Sequence, residues 1–447
     1  MVYIPHSPDE EKEMLSSLGL KSFEELYSHI DPSLLVSEEV FEKLGKPLAE
    51  AQIENYFKSL ADKNKQLIHL AGAGAYDRYV PAVIDYLVER GEFLTAYTPY
   101  QPEVSQGTLT AIFEYQTVIA ELTGMDVANA SMYDGGSALA EAVLMARAIK
   151  GKGDTVVLSS TIHPLYREVV KTYLYGYRDN VEEIPFNEEG VTDLNRLEEV
   201  LKTKQVHALA VQYPNFFGFV EPLEEISRLA NLYGVPLIVV TDPVALAVLK
   251  PPGDFNADIV VGEGQQLGIP LSFGGPYLGF FATKQKYVRK MPGRLVGMAE
   301  DVNGKRAFTL VLQTREQHIR RERATSNICS NQNLMALRAL IYVAMLGKEG
   351  LREVAKQSIS KARYLYKKLL AAGWENPFKN EKFLWEFPIK RDNAKGLRKK
   401  ALERGFLFGI ELDRFYPSLE DTLLVAVTEK RTKREMDNLL SLLSEEN

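Results

Sequence analysis

The middle of the chain alternates between short apolar runs and longer amphipathic segments. From Asp154 onward the β-branched runs are "DTVVLSS", "VEEIPF", "HALAVQY", "VPLIVVTD" and "ADIVVGE". Between them lie segments with helical spacing, such as "DLNRLEEVLK" and "PLEEISRLANLYG". Apolar strands that alternate with helices are typical of a parallel sheet covered by helices on both faces. The pattern therefore predicts an α/β fold with a mostly parallel sheet.

The segments on either side of this alternation have different patterns. Residues 1–65 contain helical stretches joined by polar turns, which predict an N-terminal helical arm. Residues 109–123 have helical spacing, and a long helix is predicted around residues 333–346. The C-terminal part contains the strand patterns "FLWEFPI" and "TLLVAVTE" with flanking helices. We therefore predict the arm at 1–65, a large α/β domain at 66–335 and a smaller C-terminal α+β domain at 336–447.

Composition and charge exclude several classes of protein. The 447 residues are 45% hydrophobic and 25% charged, as in an ordinary globular protein. A net charge of −7 disfavours a nucleic-acid partner. The acidic N-terminus and the lack of an apolar run of about 18 residues predict no signal peptide, no membrane span and a cytoplasmic location. Cys329 is the single cysteine and the six histidines lack ligand spacing, so we expect neither a disulfide nor a metal site.

Candidate binding residues follow the predicted strands, because ligands of such sheets bind at the carboxyl ends of the strands. Gly135, Gly136 and Ser137 open a helix whose N–H groups suit a phosphate, although an ordinary helix start has the same pattern. His163 follows a strand, where an imidazole can stack on a flat ring, cap a helix or pack in the core. Asp242 ends a very apolar strand, so its carboxylate needs a partner, either a cofactor's ring nitrogen or a backbone N–H.

These features occur in the order used by pyridoxal-phosphate enzymes of the aspartate-aminotransferase fold, also called fold type I. In those enzymes the turn after the next strand carries the lysine that forms the Schiff base with the cofactor. The residue at this position is Gln265, 23 residues after Asp242, and a carboxamide cannot form an imine. Lys250 and Lys284 are the nearest lysines, and both are expected to point away from the strand ends.

Longer motifs along the whole chain resemble one family closely. They are "YIPHSPDEEKEMLSSLGLKSFEELYSHI", "AGAGAYDRYVPAVI", "YTPYQPEVSQGTLTAIFEYQTVIAELTGMDVANASMYDGGSALAEA", "REQHIRRERATSNICSNQ" and "LLVAVTEKRTKREMDNLL". These motifs resemble the glycine cleavage system P-protein, the decarboxylating glycine dehydrogenase. In some organisms this enzyme consists of two homologous chains, and this chain is similar to subunit 1, the N-terminal half.

The resemblance also explains the missing lysine. The partner half has a His-Lys-Thr-Phe motif where this chain has "GQQLGIPLSFGGP". This difference implies that the chain keeps a vestigial copy of a duplicated pyridoxal-phosphate pocket. The residues of that vestigial pocket are Gly135, Gly136, Ser137, His163, Asp242 and Gln265.

The family's reaction is implied for a complex rather than for this chain alone. Pyridoxal phosphate is expected on the homologous partner, subunit 2, and no cofactor is expected to bind this chain covalently. The complex is expected to remove carbon dioxide from glycine and to pass the aminomethyl group to the lipoyl arm of H-protein. A heterodimer, doubled to a two-plus-two heterotetramer, is the expected assembly. Two alternatives are a purely structural or regulatory partner and a pyridoxal-phosphate enzyme that works without a Schiff-base lysine.

The loop "YTPYQPEVSQGT" distinguishes shared catalysis from a purely structural role. Pro99 and Pro102 stiffen the backbone beside the tyrosines, which suits a preorganised wall for a small ligand. The alternative is that the tyrosines pack on the sheet and the prolines end a helix. In the resembling family this segment is expected to approach the partner's glycine and cofactor. The predicted contributors across the interface are Tyr97, Thr98, Tyr100, Gln101, Glu103, Ser105 and Gln106.

A second segment, "RRERATSNICSNQ", is predicted to lie near the same interface. Thr325 and Asn327 are its candidates for contacting the partner's phosphate. A helix cap at Thr325 or Ser326 accounts for the same residues equally well.

Overall fold

A computed structural model describes residues 6–324, 326–328 and 330–444 of the chain. Thr325, one of the two predicted phosphate contacts, lies outside the described residues. The chain forms two compact units, Met1–Gln66 and Leu67–Asn447. The further division of the second unit at residue 335 stays a prediction.

The first unit is helical. Its helices are α1 (Pro8–Ser17), α2 (Glu38–Glu42) and α3 (Glu50–Ala61). Ser7 and Glu10 form a capping box at the start of α1, because the side chain of each accepts a hydrogen bond from the backbone N–H of the other. Many large apolar side chains of this unit are exposed, among them Leu18, Leu34, Phe41, Leu44 and Phe57. Exposed apolar surface of this extent is typical of a segment that binds another surface.

The second unit contains a sheet of seven strands among the described residues. The strands of the unit are β1 (Ile68–Leu70), β2 (Val127–Ala128), β3 (Thr155–Ser159), β4 (Asn180–Ile184), β5 (Val206–Tyr213), β6 (Leu237–Thr241), β7 (Ile259–Glu263), β8 (Gly279–Thr283), β9 (Leu295–Glu300), β10 (Arg306–Val311), β11 (Glu386–Lys390), β12 (Phe406–Phe408), β13 (Ile410–Glu411) and β14 (Thr422–Ala426). The large sheet has the order β2-β8-β7-β6-β5-β3-β4, and only β8 runs against its neighbours.

Helices cover this sheet and connect its parallel strands. They are α4 (Ala82–Val88), α5 (Gly91–Leu94), α6 (Gln106–Thr123), α7 (Gly135–Lys150), α8 (Pro164–Leu174), α9 (Leu194–Thr203), α10 (Leu223–Tyr233), α11 (Gln317–Arg320), α12 (Asn333–Ala371), α13 (Ala394–Glu403) and α14 (Lys433–Ser444). Strands β3 and β5 to β7 are almost entirely buried because α7 and other helices pack on them. This arrangement confirms the predicted α/β fold with a mostly parallel sheet.

The remaining strands form three small sheets. Strands β11, β14 and β13 are antiparallel, β9 and β10 form a hairpin, and β1 pairs in parallel with β12. Helix α12 is longer than predicted, because the chain resumes a helix after an interruption at Gly347, where φ is 58° and ψ is −171°. The sheet topology places the carboxyl ends of β3, β5, β6 and β7 along one edge, where the candidate residues follow.

Candidate functional site

His163 follows β3 and caps α8, and both of its ring nitrogens are hydrogen-bonded. Its Nε2 lies 2.9 Å from the carbonyl oxygen of Ala73 and donates to it, while Nδ1 accepts from the N–H of Leu165 at 3.2 Å. These two bonds together require a neutral imidazole. Burial lowers the pKa of His163 to about 4, which agrees with a neutral ring at pH 7.

The flat ring that stacks on His163 belongs to Tyr166. The two ring centroids are 4.5 Å apart and the planes differ by 20°. Phe216 meets the imidazole edge-on at 5.0 Å. The phenol of Tyr166 lies against Gly135, where a β-carbon would be only 2.6 Å from the tyrosine oxygen. The predicted stacking partner of His163 is therefore a side chain of the chain itself.

The start of α7 has the geometry of an anion site and already contacts carboxylates. Asp134 caps the helix, with its Oδ1 accepting from Ser137 N at 2.8 Å. The N–H of Gly135 donates to Oε2 of Glu263 at 3.0 Å. The other oxygen of Glu263 accepts two more backbone N–H groups, at 3.0 and 2.9 Å. Burial raises the pKa of Glu263 to about 7, against the lowering effect of these three bonds.

Asp242 follows β6 and finds its partners inside the chain. Its Oδ1 accepts from the N–H of Val244 at 2.8 Å, and its Oδ2 accepts from the amide of Gln266. The oxygen of Gln266 accepts from Nε of Arg78 at 2.5 Å, and Arg78 forms a 2.6 Å ion pair with Glu429. Burial raises the pKa of Asp242, while the charge of Arg78 and the Gln266 bond lower it. A backbone N–H, one of the two predicted partners, is therefore present.

Gln265 occupies the position expected for lysine, and its amide binds backbone groups. Its Oε1 accepts from Tyr76 N at 2.9 Å, and its Nε2 donates to Tyr76 O at 3.1 Å and to Ile269 O at 2.8 Å. The side chain is almost fully buried. This pattern needs one acceptor and two donors, which a carboxamide supplies and an ammonium does not.

The backbone that Gln265 holds is part of the crossing segment, residues 73–79, which passes over the strand ends. Glu386 fixes it by accepting from Ala73 N and from the hydroxyl of Tyr76, both at 2.6 Å. Glu429 accepts from Tyr79 N at 2.7 Å. The polar residues at the strand ends thus serve largely to hold this segment.

These side chains surround the strand-end pocket, a cavity of about 40 Å³ bordered by His163, Tyr166, Asp242, Glu263 and Gln266, among others. Small-molecule sites usually enclose roughly 300–1,000 Å³. Among the described residues that line it there is no lysine. The pocket therefore does not fit pyridoxal phosphate, because it is too small for the cofactor and has no lysine that could form an imine.

The two nearest lysines lie where the sequence predicts, away from the strand ends. Lys284 Nζ contacts Asn256 and the carboxylate of Asp258, at the amino end of β7. The ammonium of Lys250 lies 4.6 Å from the ring centroid of Phe255. Neither lysine borders the strand-end pocket.

The predicted wall, residues 97–106, lies beside the same edge of the sheet. Tyr97 and Tyr100 are 75% and 49% exposed. Nη2 of Arg294 donates to the hydroxyl of Tyr100 at 3.0 Å, and the carbonyl of Arg294 accepts from Ala130 N, two residues beyond β2. Tyr97 is thus largely exposed, while Tyr100 is half-exposed and its ring lies 5.4 Å from the guanidinium carbon of Arg294.

Arg294 belongs to a cluster of charged side chains behind Tyr100. Oε2 of Glu316 lies 3.9 Å from Arg294 Nε and 3.6 Å from His318 Nδ1, and the His318 ring meets the Tyr100 ring edge-on at 6.0 Å. Burial raises the pKa of Glu316, against the neighbouring positive groups. Within the described residues, Arg294 Nε and Glu316 Oε1 are buried without a hydrogen-bond partner. Buried polar groups in native structures are usually paired, so these two atoms are exceptions within the cluster.

The other predicted wall residues divide into two groups. Gln101 and Glu103 are exposed, and Thr98 and Ser105 are half-buried. Gln106 begins α6, and its amide forms two 2.9 Å hydrogen bonds with the backbone of Phe308 in β10. Gln106 thus joins α6 to the β9–β10 hairpin, because its amide is hydrogen-bonded to the backbone of a strand.

Of the two predicted phosphate contacts, the structure describes Asn327, which lies in the segment after α11. Asn327 is exposed, and Ser326 Oγ accepts from Ile328 N at 3.1 Å. Helix α12 begins only at Asn333, so the helix-cap interpretation is wrong for Ser326. The Ser326 hydroxyl also bonds Glu141 in α7, whose pKa burial raises to about 7.

Several residues of these two regions are not found by reasoning from the sequence. Tyr166 and Glu263 have ordinary helix and strand patterns, and nothing local marks their contacts with His163 and Gly135. Arg78, Arg294 and Glu386 act on residues far away in the chain. The one usable signal was the pair of adjacent glutamines at a strand end, where two buried amides require several partners.

Two further observations concern metal ions and membranes. Across residues 6–324, 326–328 and 330–444, no group of three or more His, Cys, Asp or Glu side chains is placed to hold a metal ion. Over the same ranges, every helix is too short or too polar to cross a bilayer.

Known proteins match this chain over nearly its whole length. The sequence profile of the family described as "Glycine cleavage system P-protein" matches residues 1–443. The "Probable glycine dehydrogenase (decarboxylating) subunit 1" of Aquifex aeolicus is 63% identical, over 99% of this chain and 100% of that protein. A crystal structure of glycine decarboxylase (P-protein) of the glycine cleavage system, in inhibitor-bound form, is 42% identical with a TM-score of 0.88, and the match covers 100% of both chains. A cysteine desulfurase from Thermococcus onnurineus shares the fold alone, at 14% identity and a TM-score of 0.63 over 85% of this chain and 94% of that one.

Proposed function

This chain belongs to the family of the glycine cleavage system P-protein, and we propose that it is the subunit without pyridoxal phosphate in a two-chain glycine decarboxylase. The observation that supports this role is Gln265, which occupies the lysine position and is bonded to the backbone of Tyr76. A chain with such a pocket needs a homologous partner to supply the cofactor. The reaction is that of glycine dehydrogenase (decarboxylating), and the chain is inactive alone.

The partner's pyridoxal phosphate supplies the electron-withdrawing ring that allows carbon dioxide to leave glycine. The aminomethyl group that remains passes to the lipoyl arm of H-protein. The part of this chain is to border the partner's site, to orient glycine and to exclude water from it.

The surface of the chain supports a lasting association with the partner. Between Tyr79 and Val104 the large exposed apolar side chains are Tyr79, Val83, Tyr86, Leu94, Tyr97, Tyr100 and Val104. Within the first unit, exposed leucines and phenylalanines add further apolar surface. Obligate pairs typically bury about 2,000 Å² or more, largely through such side chains. We propose that these surfaces form a heterodimer that doubles to a two-plus-two tetramer.

The hydrogen bond between Arg294 and Tyr100 supports a part for the loop in catalysis. Because the guanidinium can only donate, the Tyr100 oxygen accepts from it. The phenol hydrogen then points elsewhere, toward solvent or a ligand. Gln101 and Glu103 are exposed beside it. We propose that Tyr100 donates to a group in the partner's site, with Arg294 and His318 as positioning residues, and that Tyr97, Thr98 and Ser105 line the same wall.

Two further contributions belong to the same proposal. Exposed Asn327, and Thr325 two positions before it in sequence, contact the phosphate of the partner's cofactor.

A purely structural role for the chain is the second candidate function. The observation that favours it is the amide of Gln106, which is hydrogen-bonded to the backbone of Phe308.

The experiment that tests the function combines the purified chains. The chain is mixed with subunit 2, and the exchange of labelled carbon dioxide with the glycine carboxyl group is measured with H-protein present. We expect exchange only in the mixture, together with one sedimenting species larger than either chain. Exchange by subunit 2 alone at the same rate, or separate sedimentation of the chains at micromolar concentration, would contradict the proposal.

A further inference from the structure

Three groups would mark a bound pyridoxal phosphate in a pocket of this fold: an aromatic ring against a histidine, an anion at a helix start, and a hydrogen-bonding atom at a buried aspartate. The strand-end pocket contains all three, and each comes from the chain itself. We propose that this pocket is an internally filled site in which Tyr166, Glu263 and Gln266 replace the ring, the phosphate and the ring nitrogen of a cofactor. The filled site serves as an anchor for the crossing segment.

The ring position is filled by Tyr166. Its ring is nearly parallel to that of His163, at 4.5 Å, while Phe216 contacts the imidazole edge-on at 5.0 Å. A second planar ring therefore has no free face of comparable size on His163. Gly135 lets the phenol approach the start of α7, since any β-carbon there would collide with it.

The phosphate position is filled by Glu263. A phosphate at the start of α7 would need the N–H of Gly135, which donates to the Glu263 carboxylate instead. A phosphate brought to this point would meet that carboxylate and Asp134 as like charges. The helix start thus has its anion already, within the chain.

The two glutamines complete the replacement. Gln266 donates to Asp242 and accepts from Arg78, so the aspartate and the arginine of the crossing segment are joined through one amide. Gln265 bonds both the N–H and the carbonyl of Tyr76. His163 adds a bond to the Ala73 carbonyl. Apart from the bond between Gln266 and Asp242, these bonds all end on the crossing segment, which is why we assign the site an anchoring role.

This arrangement predicts that loss of the lysine is not the barrier to cofactor binding. A lysine at position 265 would leave the N–H of Tyr76 without an acceptor, and it would face a pocket with the Tyr166 ring inside it. Introducing a lysine at position 265 alone therefore does not restore a cofactor site. Removing the ring of Tyr166, in contrast, opens a slot of the size of a phenol next to His163.

The test uses the full-length chain alone, so its result does not depend on the decarboxylase activity or on the partner. Gln265→Lys, the combined variant Gln265→Lys with Tyr166→Ala, and the control Gln265→Lys with Tyr166→Phe are treated with pyridoxal, which lacks the phosphate. Borohydride reduction and peptide mass mapping then report the reaction at the introduced lysine separately from surface lysines. We expect that lysine to react at least about tenfold more slowly in Gln265→Lys than in the combined variant or in the urea-unfolded chain.

A second measurement reports the filled ring position directly. Tyr166→Ala should melt at a lower temperature than the wild-type chain and should regain part of the loss with 4-methylphenol, the free equivalent of the missing side chain. Tyr166→Phe and the wild-type chain should not respond. The proposal is overturned if the lysine of Gln265→Lys reacts in the folded chain as fast as in urea, or if 4-methylphenol stabilises all variants equally. The urea comparison needs only Gln265→Lys, so it holds even where Tyr166→Ala does not fold.

Discussion

The strand-end pocket and the loop of residues 97–106 lie at the same edge of the sheet, yet they use their polar groups in opposite ways. In the pocket, His163, Asp242, Gln265 and Glu263 bond other groups of the same chain. In the loop, Tyr97 and Gln101 are exposed, and half-exposed Tyr100 accepts one hydrogen bond, from Arg294. Buried polar groups that satisfy one another stabilise a fold, whereas exposed rigid ones are available to a ligand.

Together with the internally filled site that we propose, the comparison teaches how a chain can keep a fold while its binding site becomes structural. A pocket that loses its ligand leaves buried donors and acceptors unpaired, which is costly. In this chain the nearby side chains and the crossing segment pair with them. We therefore expect substitutions in the pocket to change stability first, and substitutions in the loop to change the activity of the complex first.

The largest expected effect comes from Arg78, which contacts Gln266, Ser358 and Glu429. Arg78→Met should lower the free energy of unfolding by about 3–5 kcal/mol, because it leaves buried carboxylates without a compensating charge. Urea unfolding measures this loss. The control is Arg90→Met, which removes an ion pair whose side chains are 53% and 65% exposed, and which should cost less than about 1 kcal/mol. Equal losses in the two variants would show that the buried ion pair of Arg78 stabilises the fold no more than an exposed one.

The pH dependence of stability gives the second test. Burial raises the pKa of Glu386 to about 7, against its bonds with Ala73 and Tyr76. As pH rises from about 4.5 to about 7, the unfolded chain releases this proton while the folded chain retains it, so the wild-type chain loses stability in that window. Glu386→Gln can keep both bonds and cannot ionise. Its stability relative to wild type should therefore rise by about 3 kcal/mol between pH 4.5 and pH 8.

Urea unfolding of both proteins at a series of pH values checks this expectation. Buried carboxyl groups with raised pKa values that do not interact with Glu386, such as those of Glu141 and Glu263, remain in both proteins. Their effects cancel in the difference between the two unfolding curves. A difference that is constant with pH would show that Glu386 is ionised in the folded chain throughout.

The third test moves to the loop and to activity. Tyr100→Phe and Gln101→Ala should each lower glycine decarboxylation by the assembled complex at least about tenfold, or ~1.4 kcal/mol of transition-state stabilisation. Sedimentation and cofactor absorbance should show unchanged assembly and unchanged binding of pyridoxal phosphate by the partner. Tyr175→Phe is the matched control, since Tyr175 is 90% exposed and caps the far end of α8. Wild-type rates in both loop variants would return the chain to a purely structural role.

The smallest expected effect concerns His318, which holds the ring of Tyr100 edge-on. His318→Gln should lower the same rate about two- to fivefold, in line with ~0.5–1 kcal/mol for an aromatic contact. Because His318 acts through Tyr100, its effect should vanish in a Tyr100→Leu background. An undiminished effect in that background would mean that His318 contacts the reacting groups itself.

Reasoning from the sequence succeeds where the signal is local. The spacing of apolar residues predicts α6, and it finds strands β3 to β7 because their apolar runs are short and bounded by polar turns. It stops the last long helix near Gly347, where the backbone does leave the helical conformation, but the chain then continues as a helix to Ala371. Gln106 was placed in the loop, yet it is the first residue of α6. Boundaries of this kind depend on tertiary contacts, here the bonds with Phe308.

The sequence by itself determined the fold class, the edge of the sheet where the site lies and the absence of a lysine at position 265. Each of these depends on a pattern within a few neighbouring residues, or on the chemistry of one side chain. Only the tertiary structure decided how the pocket is filled and what holds the loop. The bonds between Gly135 and Glu263, Tyr76 and Gln265, and Tyr100 and Arg294 join residues 128, 189 and 194 positions apart. No local pattern specifies such pairs, because they form only when the order of strands in the sheet brings distant segments to one edge.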